Sequence, residues 1–298
     1  MLSNEPKGVK NLMEKALTQS ITLANGVKIP QLGLGVFLVK EENELIQAVM
    51  TAVLDGYRHV DTAMIYGNEQ YVGEALKGLE IPREEIFITS KVWNYDHGYE
   101  ETKAAFQASI DRLGVDYLDL YLIHWASPHY IETWKAMEEL YNEGKIKAIG
   151  VSNFQIHHLE DLMAHSTITP MINQIETHPE FPQNELHDFM KKHGIVHEAW
   201  GPLGQGKNDL LNNPVLVKLG EKYNKTAAQI ILRWHLERGV VVIPKSVTPH
   251  RIRENAAIFD FSLTKEDMAE IATLNTGTRY AKDPDDEAFL LESSIRPN

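Results

Sequence analysis

The feature that most constrains the fold is a repeated alternation of short apolar segments and longer amphipathic ones, which runs from residue 32 to residue 246. Continuous apolar runs of this length are typical of strands that are buried on both faces of a parallel sheet. The predicted strands are Leu32–Phe37, Arg58–Asp61, Ile86–Val92, Leu118–His124, Ile146–Ser152, Met171–Thr177, Ile195–Trp200 and Val240–Ser246.

The segments between these strands show the 3.6-residue period of helices with one buried face. Leu45, Ala48, Val49 and Ala52 form one such stripe, which stops at Gly56. Eight strand-and-helix units in one chain of 298 residues predict an α/β fold, a single (β/α)8 TIM barrel. An open, doubly wound sheet is the structural alternative. Comparable helical stripes stop at Gly114, Gly144 and Gly239.

The parts of the chain outside the alternation predict additions to the barrel. Asn25-Gly26 lies between two short apolar runs and indicates a β-hairpin, which we expect to close the bottom of the barrel. Gly201–Tyr223 is longer than one connection needs, so we expect extra helices or loops after strand seven and at the C-terminus. We therefore divide the chain into a polar extension (1–19), the barrel (20–275) and a tail over the barrel mouth (276–298).

Composition restricts the possible partners. The net charge of −13 argues against nucleic acid or an anionic membrane as a bulk partner. There is no cysteine, which excludes a disulfide, a thiolate zinc site and a cysteine nucleophile. Because no apolar run has the length of a membrane span and the first residues do not resemble a secretion signal, we expect a cytoplasmic protein, monomeric or weakly homo-oligomeric, that acts on a small molecule.

Four polar residues lie at or just beyond the ends of predicted strands. Asp61, Lys91 and His124 close strands two, three and four, and Tyr66 follows Asp61 by five residues. The carboxyl ends of barrel strands meet at one face, where active sites gather, so we expect all four to face one pocket. Taken singly, such residues are more often structural hydrogen-bonding groups, but their joint placement favours catalysis.

These four side chains suit proton delivery to an oxygen. A phenol has a pKa of about 10, and an ammonium about 4 Å away attracts the phenolate by on the order of 4 kcal/mol. We therefore predict that Lys91 brings the pKa of Tyr66 towards neutrality, that Asp61 keeps Lys91 charged, and that His124 orients the substrate. An oxygen that needs this proton arises when hydride adds to a carbonyl, and because no side chain donates hydride, a nicotinamide cofactor is required.

The segment Asp61-Thr62-Ala63-Met64-Ile65-Tyr66-Gly67-Asn68-Glu69, with Lys91 and His124 at later strand ends, resembles the aldo-keto reductase superfamily. The resemblance extends from about Leu17 to Leu274 and is strongest to the branch of bacterial diketogluconate reductases and prostaglandin F synthase-like enzymes. It implies reduction of aldehydes and ketones by hydride transfer from C4 of NADPH, with Tyr66 as the general acid. The alternatives are a non-enzymatic NADP(H)-binding regulatory protein of the same fold and a metal-dependent barrel hydrolase.

Three further segments carry the resemblance: Gly150–Phe154, Asn173–Pro179 and Ile243–Asn255. The first two imply a site for the nicotinamide carboxamide, and the third implies a site for the adenosine phosphate. The residue types of the third segment support a phosphate site. Two cations and a hydroxyl lie there at the start of a predicted helix, and the N-terminus of a helix attracts anions. A 2′-phosphate favours NADPH over NADH; helix capping with surface solvation is the alternative. The predicted cofactor-binding residues are Gly35, Val36, Asp61, Ser152, Asn153, Gln174, Trp200, Gly201, Leu203, Gly204, Lys245, Ser246, Val247, Thr248, Arg251, Glu254 and Asn255.

The resemblance also implies that Trp200 stacks on the nicotinamide ring and that Gly201–Gly204 passes over the pyrophosphate. The expected substrate residues are Phe37, Trp93, Asn94 and Trp125, with Val36 beside them; hydrophobic packing of the barrel end is the alternative. No metal is expected, and we interpret the paired histidines His157 and His158 as solvated or capping residues.

Overall fold

The structure is a computed structural model that describes residues 19–207 and 209–297. The predicted extension (1–19) lies, apart from residue 19, outside the described residues. The eight-stranded parallel barrel is confirmed, because the strands from β3 to β10 follow one another in chain order in a single sheet. The strands are β1 (Ser20–Thr22), β2 (Lys28–Pro30), β3 (Leu34–Gly35), β4 (His59–Asp61), β5 (Phe87–Val92), β6 (Leu120–Ile123), β7 (Ile149–Ser152), β8 (Ile172–Glu176), β9 (Val196–Trp200) and β10 (Val241–Val242).

The sheet closes into a barrel between its first and last strands. The Gly33 amide donates to the carbonyl of Val242 at 2.8 Å, and the Val242 amide donates to the carbonyl of Gln31 at 2.9 Å. A Cβ at Gly35 would lie 2.7 Å from the Ile243 carbonyl oxygen, so glycine is required where the two segments approach. β10 is shorter than the predicted strand because Pro244 has no amide to donate to a ladder.

Helices cover the outer face of the barrel, and the four glycine-terminated stripes are confirmed. The stripe of Leu45, Ala48 and Val49 is buried, and each large side chain of this kind contributes about 1.5–3 kcal/mol when it leaves water. The helices are α1 (Glu42–Leu54), α2 (Glu69–Lys77), α3 (Tyr99–Leu113), α4 (Tyr130–Asn142), α5 (Ile156–His165), α6 (Asn184–Lys192), α7 (Pro214–Tyr223), α8 (Ala227–Glu237), α9 (Pro249–Ala256), α10 (Lys265–Ala272) and α11 (Glu287–Ser293). Within the described ranges, no helix combines the length and the apolar character that crossing a membrane requires.

The hairpin of β1 and β2 lies at the amino ends of the barrel strands. The Asn25 side chain donates to the carbonyl of Lys147, just before β7, at 2.9 Å. The Gln31 side chain, just after β2, donates to the carbonyls of Leu236 and Val240 at 3.1 and 3.2 Å. The hairpin therefore caps the bottom of the barrel and leaves the carboxyl end open for chemistry, as predicted.

The two segments outside the strand-and-helix repeat contain extra helices and turns, as predicted. The long connection Gly201–Tyr223 contains two 3₁₀ turns, Gly204–Gly206 and Leu210–Asn212, before α7. The tail, in which the sequence shows no period, forms α11, whose first turn is capped by Asp286 accepting from the Phe289 amide at 3.0 Å. A helix of seven residues has only two turns, which is too short to show a hydrophobic period.

The contact between α2 and α3 gives a test of the packing. A Cβ at Gly73 in α2 would overlap the carbonyl oxygen of Leu113, whereas a Cβ at Gly78 would meet its nearest atoms at 3.5 Å. We expect Gly73→Ala to lower the free energy of unfolding by about 1–3 kcal/mol, since the helices must separate. The matched change Gly78→Ala should stay within about 0.5 kcal/mol. Urea unfolding followed by circular dichroism measures both, and equal stability of the two variants would contradict this packing.

Candidate active site

An ion pair lies at the carboxyl end of the barrel. Asp61, the last residue of β4, accepts a hydrogen bond from Nζ of Lys91 through Oδ1 at 2.7 Å. Lys91, the next-to-last residue of β5, also donates to the carbonyl of Thr62 at 2.8 Å. Both charged side chains are buried. Removing either partner would leave an unpaired buried charge, which costs several kcal/mol.

Tyr66 and His124 complete a compact group around this ion pair. Tyr66 lies in the 3₁₀ turn that follows β4, and Nζ of Lys91 is 5.1 Å from the centroid of its ring. His124 directly follows β6, with its ring centroid 5.8 Å from that of Tyr66 at 73° between the planes. The structure thus brings Asp61, Tyr66, Lys91 and His124 together at one end of the barrel.

The environment sets the protonation states of these groups. Burial raises the pKa of the Tyr66 phenol above its ordinary value, and Asp61 adds to this rise while Lys91 opposes it. The prediction that Lys91 brings this pKa towards neutrality is therefore wrong for the protein by itself, because burial outweighs the attraction. Burial and the charge of Lys91 hold the pKa of His124 well below its usual range. A protonated phenol and a neutral imidazole consequently lie side by side at neutral pH.

Lys91 remains charged in spite of its burial. Burial alone would lower the pKa of its ammonium, but the charge of Asp61 and the neighbouring Tyr66 together raise it above the ordinary value. The pocket thus places a permanent cation beside the phenol, where it stabilises a phenolate whenever the proton leaves.

The residues predicted to bind the nicotinamide carboxamide form one hydrogen-bonded chain beside His124. Trp200 donates from Nε1 to Oδ1 of Asn153 at 2.9 Å. Asn153 donates from Nδ2 to Oγ of Ser152 and to the carbonyl of His124, both at 3.0 Å. Ser152 donates to the carbonyl of Gln174 at 2.8 Å. These side chains hold one another in fixed positions next to His124.

The predicted phosphate residues surround the start of α9. Oγ of Ser246 accepts from the Thr248 amide at 3.2 Å. Lys245 and Arg251 are exposed, and neither makes an ion pair in the described part of the chain. By contrast, Arg253 on the same helix pairs with Asp55 at 2.9 Å between Nε and Oδ2. These two cations, which have no ion-pair partner in the described residues, and a hydroxyl at a helix N-terminus fit a phosphate group.

The loop after β9 folds back beside Trp200. Gly201 and Gly204 have positive φ angles of 58° and 73°, and the Gly204 amide donates to the carbonyl of Gly201 at 2.9 Å. Leu203 and Val247, which are both partly buried, pack against the main core. The two left-handed glycines and the hydrogen bond between them make a tight turn directly after Trp200.

Three predicted cofactor residues have side chains that are buried or hydrogen-bonded within the protein. The side chain of Val36 belongs to the core, with 1% of the residue exposed, so Gly35 and Val36 offer only backbone. Glu254 accepts from the Thr226 hydroxyl at 2.7 Å, which ties its carboxylate to the start of α8. Asn255 is buried, with 6% exposed. The assignment of these three residues to the cofactor stays a prediction.

The predicted substrate residues divide into two pairs. Phe37 is 45% exposed, with its ring centroid 5.0 Å from that of Tyr66, and Trp93 packs edge-on against His124 at 4.9 Å.

Trp125, the third predicted substrate residue, instead packs against Phe289 of the tail at 4.9 Å. Asn94 is 1% exposed and donates to Ser293 at 2.7 Å. The first pair therefore lies beside Tyr66 and His124, while the tail covers the second; contact of these residues with a substrate stays a prediction.

The tail contacts residues that follow several strands of the barrel. Arg296 forms an ion pair with Asp96, shortly after β5. The backbone amides of Tyr280 and Ala281 donate to the carboxylate of Glu176, the last residue of β8, at 2.7 and 3.1 Å. Together with the contact between Phe289 and Trp125, these interactions hold the tail against the carboxyl end of the barrel.

Sequence reasoning missed Glu198, which lies two residues before Trp200 in β9 and is fully buried. The Gln174 amide donates to Oδ2 of Asp61 at 2.8 Å and to Oε2 of Glu198 at 3.0 Å. The signal was available, because Glu198 is a charged residue inside a strand whose other residues, apart from His197, are apolar. That is the same feature that drew attention to Asp61.

His157, His158 and Asp285 approach one another at the surface, with their ligand atoms within 4.8 Å. Nδ1 of His158 accepts from the Gln155 amide at 3.2 Å and completes a capping box. A neutral imidazole has only one nitrogen lone pair, and the capping bond uses it at Nδ1. Nε2, which lies 3.7 Å from Oδ1 of Asp285, then carries the ring proton and cannot bind a metal. His158 is thus a capping residue, as predicted.

Comparison with known proteins identifies the family of this chain. The sequence profile of the aldo/keto reductase family matches residues 31–276. Glyoxal reductase of Bacillus subtilis is 54% identical over 278 residues, which cover 93% of this chain and 100% of that protein. Methylglyoxal reductase DkgA of Escherichia coli is 50% identical over 268 residues, which cover 89% and 96%. A Bombyx mori aldo-keto reductase crystallised in complex with NADP has a TM-score of 0.84 at 36% identity, covering 90% of this chain and 96% of that one. The chain belongs to the aldo/keto reductase family.

Proposed function

We propose that the protein reduces small aldehydes and ketones to alcohols with NADPH, and that 2-oxoaldehydes such as glyoxal and methylglyoxal are among its substrates. The observation that carries this proposal is the buried pair of Asp61 and Lys91, whose ammonium lies 5.1 Å from the ring of Tyr66. The names of the Bacillus and Escherichia relatives support the substrate class, and the Bombyx structure supports the cofactor.

The reaction follows from the charges in the pocket. When bound, NADPH supplies the hydride that turns a carbonyl into an alkoxide. Tyr66 gives its proton to that oxygen, and His124 orients the oxygen by a hydrogen bond from its neutral ring. Lys91 stabilises the phenolate that remains, and Asp61 holds Lys91 in place. Because these groups are fixed and shielded from water, their charges act more strongly than they would in solution.

The residues around the pocket would hold the cofactor in an extended groove. Trp200 would stack on the nicotinamide ring, with Ser152, Asn153 and Gln174 at its carboxamide. The turn after Trp200 would pass over the pyrophosphate. At the far end, the cations that make no ion pair would bind the 2′-phosphate. The predicted phosphate-binding side chains are Lys245, Ser246 and Arg251.

Turnover with a panel of carbonyls tests the proposal. We expect NADPH absorbance to fall when glyoxal, methylglyoxal or 4-nitrobenzaldehyde is added, and the alcohol to accumulate in equal amount. Binding of NADPH without turnover of any carbonyl would instead favour a regulatory protein of the same fold. Activity should be unchanged by a chelator, and loss of activity on chelation would favour a metal-dependent hydrolase. A cytoplasmic location and a monomeric or weakly oligomeric state stay predictions.

A further inference from the structure

A second buried carboxyl group lies next to the ion pair. Glu198 of β9 is in register with Gln174 of β8, and its whole side chain is buried. The Gln174 amide nitrogen donates to Glu198 and to Asp61 at the same time, at 3.0 and 2.8 Å. The two carboxyl groups therefore share one hydrogen-bond donor, and a change of charge on one alters the pKa of the other.

The hydrogen bonds show which carboxyl carries the negative charge. Asp61 accepts from both Lys91 and Gln174, whereas Glu198 accepts only from Gln174 among the residues that the structure describes. Oε1 of Glu198 is buried and has no hydrogen-bond partner in the described part of the chain, and Nε2 of His59 lies 3.8 Å away. A single ammonium cannot compensate two buried carboxylates, and an uncompensated buried charge is very costly. One proton is therefore retained, and the weaker set of donors places it on Glu198.

We propose that Glu198 is a positioning residue for the reduction: a buried carboxylic acid that keeps its proton, holds the Gln174 amide against Asp61, and leaves Asp61 as the one negative charge facing Lys91. This inference rests on the proposed function, because its effect on catalysis passes through the Asp61, Lys91 and Tyr66 group. Glu198 itself does not touch the reacting atoms.

The titratable groups that face Glu198 determine how it responds to pH. The titratable groups are His59, Asp61, Lys91 and Tyr66. The two neighbouring strands contribute no further charge, because β8 places Gln174 and β10 places the apolar Val241 in register with Glu198. Burial, with the charge of Asp61, raises the pKa of Glu198 to about 8. Burial lowers the pKa of His59 to about 3, so this ring stays neutral. Ionisation of Glu198 in mildly alkaline solution then adds a negative charge that raises the pKa of Tyr66.

The variant Glu198→Gln separates this account from a purely structural one. Glutamine is neutral at every pH and its carbonyl oxygen still accepts from Gln174. We expect the alkaline fall in kcat/KM for reduction, which reports loss of the Tyr66 proton, to move to lower pH by about one unit in the variant. At about pH 6, where both side chains are neutral, kcat/KM should stay within about threefold of the original. The control Glu138→Gln changes a buried glutamate in α4 that accepts from the amides of Thr167 and Ile168, and it should leave the pH profile unchanged.

Infrared spectroscopy of the unaltered protein tests the proton directly and does not depend on the folding of a variant. We expect the carbonyl band of a protonated carboxylic acid in neutral solution, its loss as the pH passes through the alkaline range, and its absence in Glu198→Gln. An unchanged pH profile in the variant, or no such band in the original protein, would overturn the inference. A protein that turns over no carbonyl would instead refute the proposed function and with it the catalytic part of the inference. The infrared band would still decide the protonation of Glu198.

Discussion

Replacing Tyr66 with phenylalanine is expected to lower kcat for carbonyl reduction by about a thousandfold or more, because general-acid catalysis contributes about 10²–10⁴-fold. The hydroxyl acts on a charge that exists only in the transition state, so its loss should not weaken ground-state binding of the cofactor. The phenyl ring keeps its contact with Phe37, whose ring centroid lies 5.0 Å away. We therefore expect the Kd for NADPH to stay within about twofold.

Steady-state kinetics with methylglyoxal and a fluorescence titration with NADPH measure the two quantities. The matched control is Tyr141→Phe, which removes a hydroxyl that accepts from Asn25 at 3.2 Å, beside the hairpin at the opposite end of the barrel. That variant should retain full activity. Substantial activity in Tyr66→Phe, or an equal loss in the control, would show that the phenol is not the proton donor.

Replacing Arg251 with alanine is expected to raise the Kd for NADPH by about 10- to 100-fold, since a hydrogen bond to a charged group contributes about 1.5–3 kcal/mol. The Kd for NADH should change by less than about threefold, because NADH has no 2′-phosphate for the guanidinium to bind. The exposed side chain makes no ion pair in the described ranges, so its removal should leave the folded state unperturbed.

Arg253 provides the matched control on the same helix. Its guanidinium pairs with Asp55 at 2.9 Å, so Arg253→Ala should leave the affinity for both cofactors nearly unchanged. Calorimetric titration of each variant with NADPH and with NADH gives four ratios of the variant's Kd to that of the original protein. Equal weakening of both cofactors by Arg251→Ala, or an equal effect of Arg253→Ala, would show that Arg251 does not recognise the 2′-phosphate.

The barrel and the convergence of residues at one of its ends could be predicted because both depend on short-range patterns. Apolar runs and 3.6-residue stripes define the strands and helices locally. The geometry of a closed parallel barrel then brings Asp61, Lys91 and His124 to one end without further information. The hairpin turn at Asn25-Gly26 is likewise a local signal.

The features that escaped prediction depend on neighbours far away in the sequence. The pKa of Tyr66 is decided by how much burial outweighs Lys91, and the proton on Glu198 depends on the donors that Asp61 takes. Asn94 donates a hydrogen bond to Ser293 of the tail, 199 residues further along the chain. A sequence pattern cannot predict these pKa values and contacts, because each depends on residues that only the folded chain brings together.

A crystal structure of the protein with bound NADP⁺ tests the central claim most directly. The account predicts that the nicotinamide ring lies against Trp200 with its C4 atom facing the Tyr66 hydroxyl, and that the 2′-phosphate contacts Arg251 and Lys245. A dinucleotide bound elsewhere on the barrel, or a nicotinamide ring turned away from Tyr66, would contradict it.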